Sequence, residues 1–192
     1  MANPQEGFSK ARLEAFSDGV IAVIITIMVL DLKSPESDRL EDLLRLWPAF
    51  LSYLISFTYV AVYWINHHYL LAQIERVTPS IIWANNLLLF FLSLFPFASA
   101  YMAATHLSPI PTMIYGGLQF ICGGAFSLLA HNILRPSARG SARRKDLLAQ
   151  ALYAIAIVVA YFSPSASLVI FIVVGLLYVV PGLLRPEVDA QA

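Results

Sequence analysis

The stretch RLEAFSDGVIAVIITIMVLDLK, from Arg12 to Lys33, opens the first apolar run of a 192-residue chain. Twelve uncharged residues separate Asp18 from Asp31. A helix of that length rises about 18 Å, well short of the roughly 30 Å of hydrocarbon in a bilayer. Begun at Gly19 and carried to Lys33, it would still reach only about 22 Å. Begun near Ser9, it has roughly 25 residues and spans comfortably. Asp18 then lies about two turns inside a membrane helix, rather than capping its start. An ionised group near the bilayer centre costs about 2.5 kcal/mol or more on insertion scales, so this acid requires a partner, a wet cavity or a function.

The rest of the chain agrees with a membrane reading. It is 59% hydrophobic and 12% charged, against roughly 25% charged residues in soluble domains. The formal charge of zero gives no global basic surface, so no nucleic-acid partner is expected. Cys122 is the single cysteine and lies in an apolar run, which excludes an intrachain disulfide and a cysteine metal site. Acids precede the first apolar run and Asp31-Leu32-Lys33 follows it where a small-residue cleavage site would stand, so that segment is expected in the mature protein. There is no Gly-x-Ser-x-Gly, no phosphate-binding lysine loop and no His-Glu-x-x-His, and the chain is read as no enzyme and as having no cofactor. The Thr-Val-Gly-Tyr-Gly carbonyl filter of ordinary potassium channels is also missing.

Apolar runs at roughly 10–33, 47–74, 79–105, 110–134, 146–163 and 165–184 predict an all-α integral membrane protein, one six-helix transmembrane domain over 1–192. Nine of the twelve basic residues fall at the amino terminus, in the second and fourth connections and in the carboxyl tail; Lys33, Arg39 and Arg45 fall on the other side. The positive-inside rule then puts both termini in the cytoplasm, and accounts for the basic RPSARGSARRK connection without nucleic acid. Between the first two spans, Ser37-Asp38 reads as a cap for an interfacial helix over about 38–46, with Leu40, Leu43, Leu44 and Trp47 on one face. Pro96 is expected to kink the third span, with Ser93 or Ser99 satisfying freed backbone groups. In the fourth span, Gly116 with Gly123 and Gly117 with Gly124 predict close helix packing.

At 100° per residue, Gly19, Val23, Thr26, Ile27 and Leu30 share one stripe of the first helix, while Asp18, Ala22, Ile25 and Val29 share an adjacent one, read here as the packing face. Candidate partners for Asp18 are Trp64, Asn66, His67, His68, Asn85 and Asn86, with Arg12 the nearby cation. Adjacent His67 and His68 point to different sides of a helix and lack an i+3 or i+4 co-ligand, which argues against a metal site.

Arg12-x-x-x-Phe16-Ser17-Asp18-Gly19, Trp64-Ile-Asn-His67-His68, and Asn86 with Pro96-Phe97 resemble the bacterial homologues of the lysosomal potassium channel, transmembrane protein 175. The resemblance covers all six spans and implies a potassium-selective cation channel of the bacterial plasma membrane. It implies a pore lined by the first helix, with a hydrophobic constriction in place of a carbonyl filter. Because this chain carries one six-helix repeat, it implies a homotetramer, with itself, the lipid bilayer and permeating potassium as its partners. The family's narrowest position matches Val23, a smaller residue than the usual isoleucine or leucine, so that the constriction could move to Ile27 or Leu30. Thr26 matches a pore-lining position, and Gly19 lies on the same stripe. A bracing network is implied for Arg12, Phe16, Ser17, Asp18, Trp64, His67, His68 and Asn86, either histidine being a possible match. The rival reading is a proton-linked transporter or proton channel using Asp18 and the His67/His68 pair.

Overall fold

A computed structural model describes residues 9–35, 37–134 and 139–183, all of its regular structure being helical. The first helix, α1 (Lys10–Leu30), begins where Ser9 caps it: the Arg12 N–H donates to Ser9 Oγ at 3.3 Å. Its 21 residues rise about 31 Å, enough to cross a bilayer. Asp18 therefore sits within the helix, with no break at Gly19.

A short α2 (Leu40–Leu44) precedes α3 (Trp47–Ala72), whose first turn accommodates Pro48 because its missing N–H would have no helical partner there. Ser37 does not cap α2 directly. Its hydroxyl accepts the Arg39 N–H and donates to the Asp42 carboxylate, while Arg39 holds the cap position. Leu40, Leu43, Leu44 and Trp47 are all exposed, leaving an apolar face on this connection.

The third apolar run forms two helices, α4 (Pro79–Leu92) and α5 (Phe95–Ala104), interrupted at Ser93-Leu94 just ahead of Pro96. The two nearby hydroxyls do not serve the Leu92 carbonyl, four residues before the proline. Ser93 donates to the Phe90 carbonyl at 2.7 Å and Ser99 to the Pro96 carbonyl at 3.1 Å. A tight turn follows, in which His106 and Leu107 take φ of 50° and 60° and the Leu107 N–H closes onto the Met102 carbonyl at 2.9 Å.

The chain continues as α6 (Pro109–Ile133), α7 (Arg139–Phe162) and α8 (Pro164–Leu183). Five segments are long and apolar enough to cross a membrane: α1, α3, the combined Pro79–Ala104, α6 and Arg144–Phe162 of α7. The protein is thus an all-helical, multi-pass membrane protein. In α8 the described apolar stretch, Pro164–Tyr178, is shorter. Residues 135–138 of the basic connection and the residues from 184 onward lie outside the described residues.

The core forms where α6 meets α4, α5, α7 and α8. Fully buried Tyr115 packs edge-on against Phe95 and Phe171, and its hydroxyl meets Ser56 Oγ at 3.0 Å. One glycine stripe of α6 is closely covered: a Cβ on Gly116 would stand 3.0 Å from the Phe171 ring, and one on Gly123 would overlap the Gln150 amide. Gly117 and Gly124 face open space, so among the described residues the first of the two stripes packs and the second does not. At the outer hairpin, Ser167 donates to the Ala156 carbonyl at 2.9 Å, and fully buried Ala156 and Ala160 let α7 and α8 approach.

Candidate functional site

Helix α1 packs against α3, α4 and α5 through one side only. The buried residues on that side are Leu13, Ser17, Ile21, Ile24 and Met28, spaced by four, four, three and four. This is where the structure departs from the adjacent-stripe reading. Asp18, Ala22 and Val29 are exposed and Ile25 is half-buried, so within the chain the packing face is centred on Ser17 and Ile21. The large apolar side chains at 13, 21, 24 and 28 lie buried on this side, where α1 meets α3, α4 and α5.

A polar seam runs through this packing face. The Ser17 hydroxyl donates to the Leu13 carbonyl at 2.8 Å and accepts from Asn85 Nδ2 at 3.0 Å. With its amide nitrogen committed, Asn85 presents Oδ1 to His67 Nε2 at 2.7 Å, which makes the histidine nitrogen the donor. The order of donation is therefore His67 to Asn85 to Ser17 to the α1 backbone. Ser17, Asn85 and His67 are each 2% exposed or less, so these bonds stand in for water that cannot reach them. The three belong to α1, α4 and α3, and the seam ties those helices at one depth.

Asp18 is held by a separate bond. The Trp64 indole N–H donates to Asp18 Oδ1 at 2.9 Å on the more exposed side of the α1–α3 contact. His68 lies outside the seam, its ring 6.3 Å from that of Trp64. Asn86 is half-buried and makes no side-chain hydrogen bond among the described residues, because α4 turns Asn85 inward with Ile81, Ala84, Leu88 and Leu89. Arg12 makes no ion pair to Asp18 among the described residues, and Phe16 points outward at 54% exposure. The chain therefore brings Ser17 together with His67 and Asp18 with Trp64. Arg12, Phe16, His68 and Asn86 stay outside both bonds. Asn85, weighed only as one candidate partner for the acid, proves to be the hub, and the apolar periodicity of α4 carried that signal.

The opposite side of α1 is bare. Val23 is 54% exposed, Ile27 45% and Leu30 77%, and Gly19 has nothing within 4 Å of where a Cβ would lie. Arg12 and Phe16 continue this stripe toward the amino terminus, since 12, 16, 19, 23, 27 and 30 recur at helical spacing. Thr26 donates its hydroxyl proton to the Val23 carbonyl at 2.9 Å, which leaves its oxygen lone pairs as an acceptor on the open side. No side chain from Gly19 to Leu30 is charged, and no group of three or more His, Cys, Asp or Glu suited to a metal occurs among the described residues.

Comparison with known proteins gives this architecture its context. The profile of the endosomal/lysosomal potassium channel TMEM175 matches residues 12–96, which contain both the seam and the bare stripe. A potassium channel of Chryseobacterium sp. (strain P1-3) is 38% identical over 180 residues, covering 90% of this chain and 94% of that one. The endosomal/lysosomal proton channel TMEM175 of Danio rerio is 32% identical over 119 residues, 56% of this chain and 22% of that one. Among solved structures, the crystal structure of a lysosomal potassium-selective channel TMEM175 homologue from Chamaesiphon minutus superposes with a TM-score of 0.81 at 27% identity, covering 90% of this chain and 97% of that one. These matches identify an ion-channel family and not an enzyme family: the chain belongs to the TMEM175 family.

Proposed function

We propose that this chain forms a homotetrameric, potassium-selective cation channel in a bacterial plasma membrane, with both termini cytoplasmic and six crossings per subunit. The four α1 helices surround the axis, and their bare stripes face the ion path. The observation that carries this reading is the division of α1: one side is sealed against α3, α4 and α5, while Gly19, Val23, Ile27 and Leu30 form an uncharged stripe left exposed among the described residues. A single helix cannot enclose a pore, so the stripe requires copies of itself. The bacterial relative named a potassium channel supports the choice of ion.

On this account conduction is controlled by dehydration. Rings of Val23, Ile27 and Leu30 form an apolar constriction that a hydrated ion crosses only by losing water, and dewetting closes it. Thr26, with its proton given to the backbone, offers the side-chain oxygen of the stripe to a partly dehydrated cation. The His67–Asn85–Ser17 seam and the Trp64–Asp18 bond brace the helix from behind. Arg12 and Phe16 lie on the exposed side, where contacts with neighbouring subunits would form.

Purified protein in liposomes should pass potassium down its gradient several-fold faster than sodium, and should migrate as a tetramer in mild detergent. Absence of flux for both ions, or a monomer, would sink the proposal. A proton-conducting reading draws on the relative named a proton channel and on the buried His67 relay. In the chain Asp18 and His67 sit in two separate bonds, which weighs against a continuous Asp–His wire. That reading requires proton flux that disappears in His67→Ala while the assembly persists.

A further inference from the structure

At the other end of α1 from Ser9, a cavity of about 380 Å³ opens between the ends of α1 and α5, the start of α3 and the α1–α3 connection. Its volume lies at the lower end of the roughly 300–1,000 Å³ typical of small-molecule sites. The polar lining is gathered from two connections: Asp31, Lys33 and Arg45 between α1 and α3, and His106 in the turn after α5. Of the three basic residues between α1 and α3, two line it.

These side chains are not committed elsewhere. Asp31, Lys33 and His106 make no side-chain hydrogen bond or ion pair among the described residues. Arg45 has only a 3.7 Å pair with Asp42, and its side chain is 79% exposed. An exposed pair of that kind contributes about 0–1 kcal/mol and releases its arginine readily. Deeper in the lining, Ser52 is fully buried and its hydroxyl has no partner among the described residues. An orphaned buried hydroxyl is costly unless something fills the space beside it.

The occupant is indicated by the surroundings. A second, more open hollow adjoins through the shared residues Arg45 and His106, and its walls include Leu44 and Trp47. Exposed tryptophan at a helix end marks the level where headgroups meet acyl chains, and exposed Leu44 beside it offers apolar surface. A basic pocket between spans at that level suits a phosphate ester, and Asp31, the acid in the cavity's own lining, suits a primary ammonium, while Glu41 lies in the adjoining hollow.

We propose that this cavity is the headgroup site of an aminophospholipid, with Lys33, Arg45 and His106 holding the phosphate and Asp31 receiving the ammonium. The acyl chains leave across Leu44 and Trp47. The site is remote from the buried seam and does not depend on which ion α1 conducts.

The test is native mass spectrometry of the delipidated full-length protein in mild detergent, with phosphatidylethanolamine, phosphatidylcholine or inorganic phosphate added. Phosphatidylethanolamine should be retained several-fold better than phosphatidylcholine, whose trimethylammonium cannot donate to Asp31. The double variant Lys33→Gln/Arg45→Gln should lose about tenfold in retention, while Arg39→Gln, in the same connection but outside the lining, should match the parent protein. Asp31→Asn should erase the preference between the two lipids. Equal retention in the double variant and in Arg39→Gln overturns the site. Displacement of the lipid by an equal concentration of inorganic phosphate overturns its assignment to a lipid.

Discussion

The two sides of α1 are built from similar residues and meet opposite surroundings. Ile21, Ile24 and Met28 are at most 3% exposed, while Val23, Ile27 and Leu30 on the other side range from 45% to 77%. Hydrophobicity alone does not distinguish them. The difference lies in the polar pair at Ser17 and Asn85, which can be satisfied only if one particular side of the helix turns toward α4. Apolar packing supplies adhesion, and the buried hydrogen bonds select the rotation that leaves the second stripe free.

This contrast predicts that substitutions on the two sides separate into different phenotypes. The largest effect is expected at the bare stripe. Ile27→Asn should raise or reshape cation flux in liposomes on the order of tenfold, because a polar ring no longer dewets. Its thermal midpoint should stay near that of the parent protein. A collapse of the assembly without altered flux in surviving tetramers would break the contrast.

On the packed side the readouts reverse. Asn85→Leu leaves buried His67 Nε2 without its acceptor and takes from buried Ser17 the bond it accepts, leaving Ser17 only its donation to the Leu13 carbonyl. Polar bonds between membrane helices contribute about 0.6–1.7 kcal/mol each, so a loss of about 1–3 kcal/mol should appear as a lower thermal midpoint, with ion selectivity retained. An unchanged midpoint would remove the seam's bracing role.

The glycines of α6 repeat the comparison at smaller scale. In Gly116→Ala the new methyl meets the Phe171 ring and Ile157 at 3.0 and 3.1 Å, which should cost about 1–2 kcal/mol. Gly117→Ala, with nothing within 4 Å, should be neutral or stabilise by up to about 1 kcal/mol through helix propensity. Thermal unfolding of the pair in one detergent checks both signs. Smallest of all, Thr26→Val keeps shape and removes an oxygen, and should change the potassium-to-sodium flux ratio about two- to threefold.

Much of the fold was legible because membrane crossing imposes length. The distance argument around Asp18 placed the start of α1 near Ser9, and runs of apolar residues located the other long helices. Breaks inside a run were harder. Pro96 marked the interruption of the third run, but the chain breaks earlier, at Ser93-Leu94. The hydroxyls expected to repair it bond other carbonyls, a matter of local rotamer. Rotation about the helix axis was the less readable quantity. Asp18 and Ser17 are neighbours 100° apart, and only the identity of the partner on α4 decides which of them is buried. The same reasoning applies to Asn85 against Asn86 and to His67 against His68, where the periodicity of surrounding apolar residues selects the inward member.

The central claim is that the bare stripe of α1 faces the ion path and the sealed stripe does not. Cysteines placed at Ile27 and at Ile24, in a Cys122→Ser background, compare the two with one substitution each. Potassium flux through liposomes should be blocked within minutes by a water-soluble thiol reagent in Ile27→Cys, and remain untouched in Ile24→Cys. Block at Ile24→Cys with none at Ile27→Cys would contradict the account.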